Sequence, residues 1–144
     1  MKRIYFATIV MFALFWSGCG AAVQPSRSDR VAASDENLIG KAFNTRTSDV
    51  QVEGDGVVTR TLPDDLTGGR HQRFIVRLAS GQTVLISHNI DLAPRINGLQ
   101  EGDRVRFNGE YVWNQQGGIV HWTHHDPNGL HVAGWVEHEG RIYQ

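Results

Sequence analysis

Histidines give this chain most of its chemical character. Of its seven histidines, five follow residue 120, and three of those stand in the stretch His-Trp-Thr-His-His-Asp-Pro that begins at His121. Imidazole changes its protonation state near neutral pH, donates and accepts hydrogen bonds, and binds transition metals. The cluster therefore indicates a metal site, a site for a polar organic or anionic ligand, or a structural network of hydrogen bonds.

Two groups of residues are candidates for such a site. The first group is predicted to contact a metal ion or a small polar ligand directly: His71, His88, Asp91, His124, Asp126 and His131. The second group is predicted to support the first: Arg70, Asn89, Arg95, His121, Trp122 and His125. Imidazole and carboxylate suit zinc, and also iron, nickel or copper. If a cofactor binds, we expect one divalent transition metal, with zinc favoured over the others.

The alternation of side chains along a strand predicts where two of these histidines lie. His124 shares a strand face with Val120 and Trp122, and His88 shares one with Ile86. If both faces point into a barrel, the two histidines meet at one barrel mouth. His121 and His125 would lie on the opposite face, about 13 Å apart at roughly 3.3 Å per residue, which is too far to share one metal ion.

Each candidate also has a structural interpretation. Asp126 precedes Pro-Asn-Gly, where an aspartate commonly caps a turn, and Asn89 and Asp91 are suited to capping the turn that follows them. His121 beside Trp122 fits a cross-strand surface pair. The large aromatic residues are predicted to belong mainly to the core: Tyr111, Trp113, Trp122 and Trp135.

A catalytic interpretation uses the same residues. A histidine would act as general base, an aspartate would orient it, and Arg70 or Arg95 would hold an anion. The reaction would be hydrolysis of a phosphodiester or an ester, with or without a metal. The chain contains no Gly-x-Ser-x-Gly, His-Glu-x-x-His or phosphate-loop motif, so the sequence assigns no reaction.

Composition limits the class of protein. The chain has 144 residues, of which 40% are hydrophobic and 20% are charged, which is ordinary for one globular domain. The formal net charge is −1, or −3 without Lys2 and Arg3, so general nucleic-acid binding is disfavoured. Cys19 is the only cysteine, which excludes an internal disulfide and a thiolate metal site.

The N-terminus is typical of an exported protein. Lys2 and Arg3 precede a 13-residue apolar run and then Ser-Gly-Cys, which resembles a bacterial lipobox although Trp16 stands where leucine is usual. We therefore expect residues 1–18 to be a lipoprotein signal peptide and Cys19 to carry the lipid anchor. Plain secretion, for instance with cleavage after Ala22, and an uncleaved anchor are the alternatives. With no aspartate after Cys19, similarity to other lipoproteins favours the outer membrane, facing the periplasm.

The remaining chain is predicted to be a flexible tether, residues 19–36, followed by one domain, residues 37–144. A short helix is expected around Leu38–Phe43, and period-two alternation then predicts five or six short strands joined by tight turns. The last two of these strands are expected over Ile119–His124 and over about Gly134–Tyr143. The sequence Leu-x-x-Gly-Asp-x-Val-x-Phe-x-Gly from Leu99 resembles the entry to the fourth strand of many oligonucleotide/oligosaccharide-binding (OB) folds. The expected fold is thus all-β, a small OB-like closed or partly open barrel.

The motifs of the domain also resemble a family. Arg-His-Gln-Arg-Phe, His-Asn-Ile-Asp-Leu-Ala-Pro-Arg, Gly-Asp-x-Val-x-Phe-x-Gly-Glu-Tyr and His-Trp-Thr-His-His-Asp-Pro follow one another between residues 70 and 127, and Gly-Trp and Gly-x-x-Tyr complete the series. Over residues 50–144 the chain resembles a bacterial family of short exported proteins known only as a domain of unknown function. The resemblance implies membership and carries no activity.

Together these features predict an envelope binding module with a histidine-rich polar site for a metal ion or a small polar or glycan ligand. The expected partners are the membrane, through Cys19, and a glycan or another envelope protein. The alternatives are a metal-assisted hydrolase and an accessory structural protein that has no site of its own.

Overall fold

The computed structural model describes residues 38–144. The predicted signal peptide, lipidated cysteine and tether therefore lie outside the described residues. The described chain has one short helix, α1, over residues 38–45, followed by seven strands. These are β1 (Val50–Asp65), β2 (His71–Leu78), β3 (Thr83–Asn89), β4 (Arg104–Val112), β5 (Ile119–His121), β6 (Trp135–His138) and β7 (Arg141–Tyr143). Within residues 38–144, no helix is long and apolar enough to cross a membrane.

Five of the strands close into a ring in the order β1-β2-β3-β5-β4 and back to β1. β1 has 16 residues and pairs with both β2 and β4, so that Gly56 faces Leu78 on one side and Val105 on the other. β3 and β5 are parallel, whereas the other pairings are antiparallel. This connectivity is that of an OB fold. The prediction of an all-β, OB-like fold with a short N-terminal helix is confirmed, with two further strands, β6 and β7, outside the ring.

The core lies inside the ring because alternate residues of each strand point inward. β2, β3 and β4 bury every second residue over most of their length. The side chains that are less than 2% exposed include Phe74, Ile86, Phe107 and Tyr111. Because the faces of these strands differ so strongly in polarity, a shift of one residue in register would expose the whole apolar set.

Helix α1 closes one end of the ring. Its Ile39 and Ala42 are buried in the core, and the Trp113 indole donates a hydrogen bond of 3.1 Å to the Phe43 carbonyl. At the same end the β2–β3 turn meets the β4–β5 turn, where Gln82 Nε2 donates to the Gly117 carbonyl at 3.1 Å. The start of β2 and the ends of β3 and β5 lie at the opposite end of the ring.

Two of the predicted strands differ from the observed ones. The strand expected over Ile119–His124 ends at His121, because Trp122 adopts a left-handed backbone conformation with φ of 52°. The single last strand expected over Gly134–Tyr143 is a hairpin, β6–β7. Its turn residues Glu139 and Gly140 have φ of 51° and 73°, as a tight hairpin turn requires.

β5 and β6 pair with the same edge of β4, one after the other. His121 faces Glu110, and Trp135 resumes the pairing opposite Asn108. The 13 residues between the two strands, 122–134, form one loop that extends away from this edge of β4. We call it the histidine loop because it carries His124, His125 and His131. The Gly134 amide donates to the His124 carbonyl at 3.0 Å and helps to close the neck of the loop.

Candidate functional site

A cleft of about 290 Å³ lies on the outer side of the ring, at the end away from α1. Strands β2, β3 and β5 provide its floor, and the histidine loop and the segment after β3 provide its walls. Its lining residues are His71, Ser87, Asn89, Leu92, His121, Trp122 and His124. The structure thus brings together five residues of the predicted site, to which it adds Ser87 and Leu92.

Backbone carbonyls fix the protonated nitrogen of two cleft histidines. His71 Nδ1 lies 3.0 Å from the Gly69 carbonyl, and His124 Nδ1 lies 2.9 Å from the carbonyl of His125. A carbonyl only accepts, so each Nδ1 carries the proton, and Nε2 of the neutral ring is left as an acceptor. Within residues 38–144 neither Nε2 has a hydrogen-bond partner; His71 is half-buried, and His124 is only 3% exposed. Both rings are therefore oriented by the chain, and each has one nitrogen without a partner among residues 38–144.

His121 has a different environment, beside a carboxylate. Its Nε2 is buried and lies 3.2 Å from Glu110 Oε1, although the two groups are not aligned as a hydrogen bond. Burial lowers the pKa of His121, and the negative charge of Glu110 opposes that shift in part. The lowered pKa favours a neutral ring at neutral pH. Within the described chain Nδ1 of this ring has no hydrogen-bond partner and is not buried.

Trp122 links the floor of the cleft to the histidine loop. Its indole stacks on the His131 imidazole, with 3.8 Å between ring centroids and 13° between ring planes, and lies 5.3 Å from the His124 ring. A positive φ is rare for a large side chain and costs of the order of 1 kcal/mol or more. Such backbone strain concentrates at functional sites, where neighbouring contacts hold it in place.

The polar residues on the β3 side of the cleft have unused hydrogen-bonding capacity. Asn89 Oδ1 accepts from the Asp91 amide at 2.9 Å, which leaves the Asn89 side-chain NH₂ as a donor. The Ser87 hydroxyl makes no hydrogen bond to another group of residues 38–144. Leu92, which is 46% exposed, adds an apolar surface beside them. The cleft thus combines imidazole acceptors, an amide donor, a hydroxyl and two apolar surfaces.

His88 lies inside the ring and does not line the cleft. It is fully buried, and its Nε2 donates to the Pro94 carbonyl at 3.1 Å, so its Nδ1 accepts from the Thr123 hydroxyl at 2.9 Å. Burial lowers its pKa, with the nearby His124 adding to that shift. Thr123 occupies the inward position that alternation had assigned to His124, because the left-handed Trp122 shifts the alternation by one residue. His88 therefore belongs to a satisfied internal network.

Most of the other predicted residues have structural partners. The capping role of Asp126 is confirmed: its carboxylate accepts from the amides of Asn128, Leu130 and His131, and these bonds lower its pKa. Asp91 binds the amide and the guanidinium of Arg70, each at 2.7 Å. Arg95 pairs with Asp64, and His125 is exposed.

The predicted metal set is divided by these contacts. His71 and His124 are in the cleft, and His88 is in the core. Asp91 is paired with Arg70, and Asp126 caps its turn. Among residues 38–144, no three histidine, cysteine or acidic side chains are grouped closely enough to hold an ion. A bound zinc or other transition metal remains a prediction of the sequence.

A larger cavity, of about 380 Å³, lies on the side of β4 and β6. Most of its charged groups are already paired: Arg104 with Asp55 at 2.8 Å, and Arg106 with Glu137 at 3.0 Å. His138 Nε2 likewise donates to an Asp103 carboxylate oxygen at 2.9 Å. Because a ligand would have to compete with these pairs, the better candidate site is the smaller cleft, whose histidine nitrogens are in part unpaired among the described residues.

Glu110 is one of three residues of this region that the sequence did not point to. It lies on the outer face of β4 and faces His121 across the β4–β5 pair. The alternation of β4 already placed it on that face, but the register between β4 and β5 was needed to bring it to His121. Ser87 and Leu92 were missed because serine and leucine carry no distinctive signal in a sequence.

Comparison with known proteins places the chain in a family. Residues 22–144 match the family described as Protein of unknown function (DUF3465). The chain belongs to the DUF3465 family. The match covers the whole described domain and confirms the resemblance that the motifs indicated. No curated protein matches the chain, so the function of this DUF3465 domain has to be argued from its site.

Proposed function

We propose that this DUF3465 domain is a binding module that holds a small polyhydroxylated ligand, such as a sugar unit of a glycan, in the cleft. The observation that carries the proposal is the state of the cleft histidines. His71 and His124 each have Nδ1 fixed by a backbone carbonyl, and each has an Nε2 that no group of residues 38–144 engages and that can accept from a ligand. A ligand rich in hydroxyl donors matches such acceptors.

The other lining residues support the same ligand class. Asn89 offers amide donors and Ser87 a hydroxyl, which suit the hydroxyl and ring oxygens of a sugar. Trp122 and Leu92 offer the apolar surfaces on which the C–H face of a sugar ring packs. In OB folds the outer face of strands 2 and 3 commonly binds oligosaccharides or oligonucleotides, and the net charge of −1 does not favour the latter.

The N-terminal sequence supports a location for this activity. We propose that the protein is exported and anchored through Cys19, as an outer-membrane lipoprotein facing the periplasm. The membrane would then be its anchoring partner, and envelope glycans would be the polyhydroxylated molecules within reach. The OB-like architecture alone does not identify a ligand, because many functions use this fold.

The test is calorimetric titration of the full chain, in detergent, with hexose and N-acetylhexosamine oligosaccharides. We expect saturable binding that weakens about tenfold in His71→Ala, the equivalent of one lost hydrogen bond of about 1.4 kcal/mol. His125→Ala is the matched control, because His125 is exposed and does not line the cleft, and its affinity should equal that of the wild type. Absence of saturable binding, or equal losses in the two variants, would contradict the proposal.

A repeat of the titration with EDTA separates two modes of recognition. Direct recognition by the imidazoles predicts the same affinity with and without the chelator. Loss of binding with EDTA would instead support the transition-metal site that the sequence predicts.

A further inference from the structure

Glu110 lies beneath the cleft, with one carboxylate oxygen turned to each of two histidines. Oε1 is 3.2 Å from His121 Nε2, and Oε2 is 3.8 Å from His131 Nδ1. The Glu110 side chain is 20% exposed, and it is not among the lining residues of the cleft. A single carboxylate therefore lies between a strand histidine and a loop histidine.

His131 reaches Glu110 from the histidine loop. The stacked Trp122 ring fixes the plane of the His131 imidazole, and Asp126 Oδ2 accepts from the His131 amide at 2.9 Å. Trp122 is also a wall of the cleft. Any contact that holds His131 against Glu110 consequently holds the Trp122 wall against strands β4 and β5.

Glu110, Asp49 and His131 are the described charged groups that affect the pKa of His121 most. Glu110 and Asp49 favour its protonated form, whereas burial and the neighbouring His131 disfavour it. Of the two carboxylates, Glu110 has the larger effect and is within 3.2 Å of the ring. Replacing Glu110 by a neutral isostere should therefore lower the pKa of His121 further.

We propose that Glu110 is the positioning residue of the cleft. Its Oε1 lies against Nε2 of His121, so that Nδ1 of that ring is turned to the ligand. Its Oε2 lies beside His131 of the histidine loop, so that the stacked Trp122 is kept in place as a wall. The inference rests on the proposed sugar-binding function for its effect on affinity. Its effect on His121 and on the loop does not depend on any ligand.

The experiment compares Glu110→Gln with the matched control Glu137→Gln in the full chain. Glu137 is also a paired glutamate on an outer strand face, with Arg106 at 3.0 Å, but it lies on β6 beside the larger cavity. Without ligand, NMR titration of histidine-labelled protein should show a lower pKa for His121 in Glu110→Gln. The ring-current shift of the stacked His131 should also weaken. Neither signal should change in Glu137→Gln.

The sugar titration then tests the consequence for binding. Glu110→Gln should lose about tenfold in affinity, Glu110→Asp should recover part of that loss, and Glu137→Gln should bind as the wild type does. An unchanged His121 pKa and unchanged ring shifts would overturn the positioning role, and so would wild-type affinity in Glu110→Gln. If the NMR changes occur but the wild type binds no sugar, the proposed function fails and the positioning role stands.

Discussion

For the histidines at this end of the molecule, the hydrogen-bond partner of one ring nitrogen determines whether the other nitrogen can donate or accept. The Gly69 carbonyl accepts a hydrogen bond from Nδ1 of His71, whereas the Pro94 carbonyl accepts one from Nε2 of His88. The sequence identified these histidines as the distinctive residues, but it could not identify their partners. The partners are mostly backbone carbonyls, which every residue has, and only the fold selects among them.

His88 should contribute strongly to stability. His88→Ala leaves the Thr123 hydroxyl and the Pro94 carbonyl without their partners and opens a cavity in the core. We expect the free energy of unfolding, measured by urea denaturation, to fall by about 3 kcal/mol. The exposed His125→Ala should change it by less than about 0.5 kcal/mol. Equal stabilities of the two variants would show that the internal network contributes nothing.

Among the secondary-structure elements, the sequence predicted the strands whose side chains alternate between a buried and an exposed face. β2, β3 and β4 have one buried and one exposed face, so period two reveals both their presence and the direction of their side chains. The histidine loop could not be predicted in this way. Its start depends on the left-handed backbone of Trp122, and no pattern of hydrophobicity encodes that conformation.

Gly134 should be required for the neck of the histidine loop. A Cβ at this position would overlap the carbonyl oxygens of Trp122 and Asn108, which are backbone atoms and cannot move aside cheaply. We expect Gly134→Ala to lower the free energy of unfolding by about 2 kcal/mol and to increase amide exchange across residues 122–134. Gly69→Ala, where a Cβ meets nothing closer than 3.4 Å, is the control and should be nearly neutral. Unchanged exchange in Gly134→Ala would contradict the tight neck.

For the whole molecule, the free energy of unfolding depends on pH through histidines and aspartates whose pKa values change on folding. The pKa values of His88 and His121 are lowered chiefly by burial, and those of Asp91, Asp103 and Asp126 are lowered chiefly by backbone amides. A group with a lowered pKa stabilises the fold above its unfolded pKa, because below that value the unfolded chain binds the proton first.

We therefore expect two steps of acid destabilisation. The urea midpoint should be constant above about pH 7 and should begin to fall below about pH 6.5, as the two histidines become protonated in the unfolded chain. A further fall of the midpoint should begin below about pH 4, as the three aspartates become protonated in the unfolded chain. Urea melts between pH 8 and pH 3.5 test this order. A midpoint that is constant from pH 8 to pH 5 would show that the histidines are not linked to folding.

The position of α1 has a consequence for how copies of the domain would act together. The described chain begins at this helix, and the seven residues of β3 separate that end from the cleft by about 23 Å. A domain held by its N-terminal side therefore turns its cleft away from whatever holds it. Many copies immobilised in this way on one surface would face a repeating polymer together, and their individually weak contacts would add as avidity.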